Sequence, residues 1–455
     1  MKTIRARWSS WAVAVFLVTT FMAEAGWAQP LEVTGTLLSD QRFRTGNGYP
    51  WSWSENRISL SMNKSFQEKA RFNSEIWVRS FGFPFITKTE QLFNTDQTSP
   101  YDLNIRQAYI DLYGFIFKNM DVRLGRQVIP WGRGDKLNPT RNLNPLDLED
   151  IWDFGRYDGV EALKVTYYLG MFNIEGVYVP FYRPATLPKG DFSDMFTGGM
   201  SLPAGLSLAS LSDTVIMPEL KIGESASTGI RLNGFAGGFD FSLSYVYGRE
   251  SLPIPYYNTI TPADMNGNVK VKTELAFPRS HIIGADLAGA VGSVGIWSEM
   301  ALFIPKEEIV MTTDLSAMGW PLIDSVVLEK KPYIKYLVGT DYTFRNGLYI
   351  NFQFLHGFFH ERGSGNLNDY LVMNLEKKFL HDKLKVTPLA GAFIIGSWKD
   401  LKNDHALIYT PMVTYMPNEN TELTAGIRVL AGKGDSPFAS IRKRDECFLK
   451  LVYSF

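Results

Sequence analysis

The densest potential for chemistry lies in one stretch, Trp131 to Gly159, where Asp147, Glu149, Asp150, Asp153 and Asp158 are interleaved with Trp152, Phe154 and Tyr157. Carboxylates at that density could line a constriction that sorts solutes by charge, coordinate Ca²⁺ through oxygen ligands, or lie solvated against a rim. Asn-Pro occurs twice in the stretch and favours rigid turns. A connection of this length is usually functional or disordered. Five His are present, and His356 and His360 lie four residues apart. In a strand, at ~3.3 Å per residue, that is about 13 Å, too far to share one metal. The sequence has no Gly-x-Ser-x-Gly elbow and no Cys/His cluster, and its one Cys, Cys447, excludes an internal disulfide framework. Neither an enzyme nor a cofactor or resident metal is expected.

The elements that must position that stretch are strands. Phe239, Phe241, Leu243, Tyr245 and Tyr247 alternate with Asp240, Ser242, Ser244 and Gly248, and Leu423, Ala425, Ile427 and Val429 alternate with Glu422, Thr424, Gly426 and Arg428. This two-residue period is that of a pleated strand with one apolar face. About eighteen such runs (16–18) can be drawn. Between them the gaps alternate strictly. The short ones include Gln67-Glu68-Lys69, Gly170-Met171, Ala236-Gly237-Gly238, Gly292-Ser293 and Arg345-Asn346-Gly347, rich in the residues that tight turns require. The others are much longer, and Arg183 to Ala226, rich in Gly, Ser and Leu, reads as a lid or a surface loop. A sandwich has no reason to collect every long loop at one end. A transmembrane antiparallel β-barrel does, with short periplasmic turns and long extracellular loops. The expected fold class is therefore all-β.

Phase then assigns side chains. Apolar residues face lipid, and the polar set faces the lumen: Arg71, Glu75, Arg79, Asp111, Arg123, Lys164, Glu175, Arg231, Asp240, Asp286, Glu299, Lys335, Asp341, Glu376 and Arg428. The two signs are balanced, unlike the single-sign ring of a strongly selective pore. These charges either border a water-filled passage or pair across neighbouring strands to stiffen the wall. Asp147, Glu149, Asp150, Trp152 and Asp153 are the candidate constriction. Arg106 and Arg126 fall out of phase with Asp111, Arg123 and Gln127, and Gly125 beside Arg126 points to a bulge that turns that side chain inward.

The ends of the chain fit the same compartment. Lys2, Arg5 and Arg7 precede an apolar core from Trp11 to Met22, and Gly26-Trp27-Ala28 supplies small residues at a cleavage site. Residues 1–28 are read as a signal peptide and 29–455 as a single barrel domain in the cell outer membrane of a Gram-negative envelope. The last ten residues, Glu446 to Phe455, alternate and stop on an aromatic. That pattern resembles the C-terminal signal recognised by barrel-assembly machinery. With 46 Lys and Arg against 47 Asp and Glu the chain is near neutral, which argues against a nucleic-acid partner. The expected partners are outer-membrane lipid and a small hydrophilic solute, and a homo-oligomer is left open.

The segment Arg106 to Tyr168 carries R-Q-A-Y-I-D-L, D-V-R-L-G-R-Q-V-I-P-W-G, an N-P pair and R-Y-D-G-V. It resembles the alginate-export type of outer-membrane channel and a related, largely uncharacterised porin-like group. The resemblance covers about 60 residues and implies an 18-strand barrel with a charged conduit. The expected function is a channel for passive or facilitated passage of hydrophilic solutes. The alternative is an export conduit or sheath for a polysaccharide or protein partner.

Overall fold

The computed structural model describes residues 30–455 except 47–49, 85, 190–191, 194, 196–201, 203–204 and 435. The expected signal peptide and the expected start at Gln29 lie outside the described residues.

Antiparallel pairing of successive segments builds one closed sheet. Its strands are β1 Glu32–Arg44, β2 Trp51–Phe66, β3 Ala70–Phe81, β4 Tyr101–Leu112, β5 Met120–Gln127, β6 Val160–Leu169 and β7 Phe172–Val179. They continue as β8 Ser227–Ala236, β9 Phe239–Arg249, β10 Arg279–Val291, β11 Val294–Pro305, β12 Tyr333–Thr343 and β13 Leu348–His356. The last are β14 Asp369–Phe379, β15 Leu384–Ile395, β16 (His405–Tyr409 and Met412–Asn418), β17 Thr421–Lys433 and β18 Glu446–Ser454. The two runs of β16 pair with the same neighbours, β15 and β17, and are one strand interrupted at Thr410 and Pro411. Pro411 has no N–H to give the ladder. Counted this way the barrel has the expected 18 strands. It closes where β1 pairs with β18, from Thr36↔Ser454 to Arg44↔Glu446, and Gly35 and Phe455 exchange both backbone bonds at 2.9 Å. Among the described residues the barrel sheet leaves no edge open. Among the described residues no helix is long and apolar enough to cross a membrane.

Turn chemistry keeps one end short. Gly237 and Gly238 join β8 to β9 with φ of 62° and 84°, a left-handed turn that glycine adopts without a Cβ clash. The strand β4 ends at Leu112. Gly114 and Ile116 take positive φ of 60° and 64°, so the residues up to Asn119 form a wider turn. The bulge lies elsewhere than expected. The ladder on both sides of Gly125 runs without a shift. The irregularity is between β3 and β4, where Glu75 faces Gln107 and Ile76 faces Ile105, leaving Arg106 as the extra residue.

The long loops also pair with one another. Ile254–Pro262 and Asn268–Ala276 form a hairpin, Ser207–Val215 adds in parallel to one side, and Ile309–Asp314 with Ile323–Leu328 adds to the other. This second sheet of five strands covers Ile260, Val269, Val271 and Leu315. The stretch read as a lid or surface loop, Arg183 to Ala226, thus supplies an edge strand of a folded cap.

Phase is regular within the barrel. Along β9, Leu243 and Tyr245 are exposed on the outer face, while Ser242, Ser244 and Val246 are buried on the inner one. The same outward apolar set recurs around the cylinder: Leu37, Ile58, Val78, Leu124, Leu163, Ile230, Ile283, Met300, Val338, Ile427 and Leu449 are exposed.

Candidate functional site

The stretch from Trp131 to Gly159 connects β5 to β6 and folds back onto the inner wall at the long-loop end. Its first half hangs on a single carboxylate of β11. Glu299 Oε1 accepts the backbone N–H of Arg133 and of Gly134 and the Asn138 amide at 2.8 Å. Its Oε2 accepts the Thr140 hydroxyl at 2.8 Å. So close an approach needs glycine. Gly132 sits at φ 100°, and a Cβ there would stand 2.8 Å from Glu299 Oε1. Trp131 donates its indole N–H to Glu175 on β7 at 2.8 Å, and Arg133 lies 3.3 Å from Asp286 on β10.

The second half is held by arginines of the wall. Arg42 on β1 donates to both oxygens of Asp150, at 2.8 and 2.5 Å, and also to Asp40. Arg79 on β3 pairs with Glu149 and with Asp102. Arg106, turned inward by the bulge, reaches Asp147 at 2.8 Å, Asp158 at 2.5 Å and the carbonyl of Tyr157 at 2.7 Å. Within the loop Arg156 donates to Asp147 at 2.9 and 2.8 Å. Burial works to raise the Asp150 and Asp147 carboxyls. The Arg42 guanidinium beside Asp150, and Arg156 with Arg106 beside Asp147, outweigh it and hold both below the usual carboxylate range. For Asp158 burial prevails and the carboxyl is raised.

Of the candidate constriction residues, Asp147, Glu149 and Asp150 are therefore brought together, buried, with their oxygens engaged by guanidinium groups. Asp153 stays half-exposed, 3.6 Å from Arg156. Trp152 packs edge-on to Phe192 at 5.3 Å and lies under the guanidinium of Arg428, 4.9 Å away. Arg428 itself pairs with Glu446 on β18.

The inward charges toward the short-turn end pair mostly along the wall. Asp111 and Arg123 meet at 2.6 Å, Lys164 and Glu175 at 3.7 Å, and Arg231 and Asp286 at 2.8 Å. Glu75 accepts from Trp77 and Gln107, Asp341 from Tyr349 at 3.1 Å, and Glu376 from Asn374 at 3.4 Å. Arg71 lies opposite Asp111 in register, and Asp240 is exposed near its turn. A hollow of about 300 Å³ opens here between Arg133, Asn173, Glu175, Arg231, Asn233 and Asp240.

Alternation alone would make the whole inner face polar. The structure differs in the long-loop half, where the inner face from β6 to β17 is largely apolar. Val160, Val177, Val179, Val246, Ile282, Ala301 and Phe303 enclose Ile129, Trp131 and Leu143 of the loop. Leu337, Leu355, Tyr370, Ile394, Ala406 and Leu430 enclose Ile151, Phe358 and Phe438. Lys335 and Glu299 sit within this packed half, each nearly without exposure. Sequence reasoning missed these inward apolar residues because each strand contributes only one or two, at its loop end. It also missed Asp40, Arg42 and Glu55, buried at the loop end of β1 and β2. Their signal was available: charged residues at alternate positions of the first hairpin.

No protein-family model and no curated protein matches the chain. Among solved structures the chain is similar to Salmonella typhi OmpF in complex with daunomycin, at 10% identity over 93% of this chain and 97% of that one, with a TM-score of 0.41. It is also similar to OmpT, an outer membrane protein of Vibrio cholerae, in a loop L8 deletion mutant, at 9% identity over 94% and 99%, with a TM-score of 0.41. A mutant of the Rh. blastica porin matches at 9% identity over 94% and 100%, with a TM-score of 0.41.

Proposed function

We propose that the protein is an outer-membrane channel for passive or facilitated passage of hydrophilic solutes, with the loop Trp131 to Gly159 as its constriction. One observation carries this reading. A closed cylinder presents aliphatic and aromatic side chains outward on every strand and charges inward, the arrangement that satisfies each backbone group in lipid and leaves water inside. An 18-strand cylinder is wider than its own side chains fill, so its interior conducts unless a loop occupies it. Here a loop does, anchored at Glu299 on one side and at Arg42, Arg79 and Arg106 on the other. The wall charges Arg71, Glu75, Arg123, Lys164, Glu175, Arg231, Asp240, Asp286, Asp341 and Glu376 border the half on the short-turn, periplasmic side. Cleavage of residues 1–28 would deliver the chain to that membrane.

The packed long-loop half favours a second reading, an export conduit or sheath that opens only around a polysaccharide or protein partner. No catalytic role is proposed. Planar-bilayer recording of the purified protein separates the two. Steady, weakly selective openings support the solute channel, and silence that persists after loosening the loop supports the conduit. Liposome swelling with sugars, organic acids and amino acids then identifies what passes.

A further inference from the structure

At the long-loop end a cavity of about 90 Å³ lies between the constriction loop and the inner wall. By the same measure one water needs roughly 10–15 Å³, so the space suits a solute of about six to nine non-hydrogen atoms. Its lining is one-sided in charge. Lys136, Arg141, Arg183, Arg249, Lys335 and Arg362 contribute to it, against a single carboxylate among the described residues, Glu250. Glu250 is taken by Arg362 at 2.6 Å. Arg183 and Arg249 are matched by Glu161 and Glu224. The other three have no carboxylate within 4.0 Å among the described residues.

Of these three, Lys335 is buried and Arg141 half-buried. Lys335 is 3% exposed, and its ammonium donates only to the carbonyls of Phe358 and Phe359, at 2.8 and 3.4 Å, while lying 5.0 Å from the Phe303 ring. The guanidinium carbon of Arg141 lies over Tyr157, 3.9 Å from the ring centroid, and its buried Nε has no hydrogen-bond partner. Ring faces and carbonyls compensate a cation only in part, and an unpaired charge in a dry site is costly. The rest of the lining mixes aromatic and aliphatic side chains, among them Phe181, Phe303, Phe358 and Val246, with the uncharged polar ones of Asn142, Asn144 and Ser227.

We propose that this cavity is a binding site for a small organic monocarboxylate with an apolar or aromatic body. The carboxylate sits between Arg141 and Lys335, and the body lies against Phe303 and Phe358. An inorganic anion would satisfy the cations and leave the rings unused. A neutral aromatic would do the reverse. The inference deepens the channel reading by giving it a solute class, and rests on that reading only for the route by which the solute arrives.

The test uses the full barrel in detergent, with benzoate as probe and benzyl alcohol, acetate and chloride as comparisons, followed by calorimetry. Saturable benzoate binding at least about tenfold tighter than any comparison is expected. Arg141→Gln should weaken it about tenfold or more, the loss of a charge-assisted bond. Lys335→Met should act in the same direction, and Lys402→Gln, outside the cavity, should leave binding unchanged. Heat-modifiable migration on gels confirms that each variant has folded, and Arg141→Gln serves alone if Lys335→Met does not fold. Equal binding of benzoate and benzyl alcohol, unaltered benzoate binding in Arg141→Gln, or no saturable binding overturns the proposal. Conduction without benzoate binding would sink the cavity assignment and leave the channel reading standing. Benzoate binding in a barrel that never conducts would do the opposite.

Discussion

Arg42, on the first strand of the barrel, grips Asp150, 108 residues away in the loop between β5 and β6, through two hydrogen bonds of 2.8 and 2.5 Å. Both side chains are buried, so the pair fixes the loop at a point that water does not reach.

Replacing Asp150 with Asn keeps the shape and removes the charge. Breaking one side of a buried pair costs roughly 3–5 kcal/mol, here reduced because Arg42 retains Asp40. The variant should insert normally, unfold at lower urea, and show larger or noisier single-channel currents than the parent. Indistinguishable currents would mean that the loop does not set the conductance.

Acid should release the same loop, but late. Asp147 and Asp150 ionise more readily in the folded chain than in the unfolded one. Their contribution is therefore complete above the unfolded value of about 3.9, and is lost as pH falls through the lower folded values. Conductance traces should be constant from about pH 8 to about pH 5 and change only below about pH 4. A transition near pH 6 would contradict the anchoring described.

His360 sets a different slope. Burial, then Lys335 and Arg362, push its imidazole down to about 3. The unfolded chain takes up this proton near 6.5 and the folded chain does not, so stability falls as pH drops from about 6.5 toward 3. The loss between pH 7 and pH 5 is roughly 2 kcal/mol. Urea midpoints measured in vesicles at the two pH values should converge in His360→Gln.

The two faces of β9 give a direct check on what the cylinder touches. Leu243 is 57% exposed on the outer face. Leu243→Arg should cost roughly 2–4 kcal/mol at mid-membrane depth and reduce the fraction folded into vesicles. Asp240→Arg, on the inner face near the turn, should fold normally and shift reversal potential toward anions. Equal behaviour of the two would invert the inside-outside assignment.

Strand count, turn placement and closure were legible because each follows from local chemistry. The period of two marks most strands, and short gaps, many of them bearing glycine, mark the tight connections. The anchoring of the loop was not. Asp147, Glu149 and Asp150 announce themselves as a carboxylate cluster, but their partners Arg42, Arg79 and Arg106 are contributed by three separate strands. Only the pairing of β1 through β4 brings these together. Arg106 also breaks the period, because the bulge opposite Glu75 and Ile76 turns it inward. The apolar lining near the loops escaped for a related reason. An inward Val246 or Leu337 in a single strand is a small departure from alternation, and it acquires meaning only when many strands place theirs at one level.

The cap sheet has an immunological corollary. Its five strands are drawn from three separate loops, and two of its four seams are parallel, so neighbouring backbones on its surface are far apart in the chain. Antibodies raised against intact cells should recognise discontinuous epitopes there. They should lose the antigen on denaturing blots and fail to bind peptides copied from any one loop.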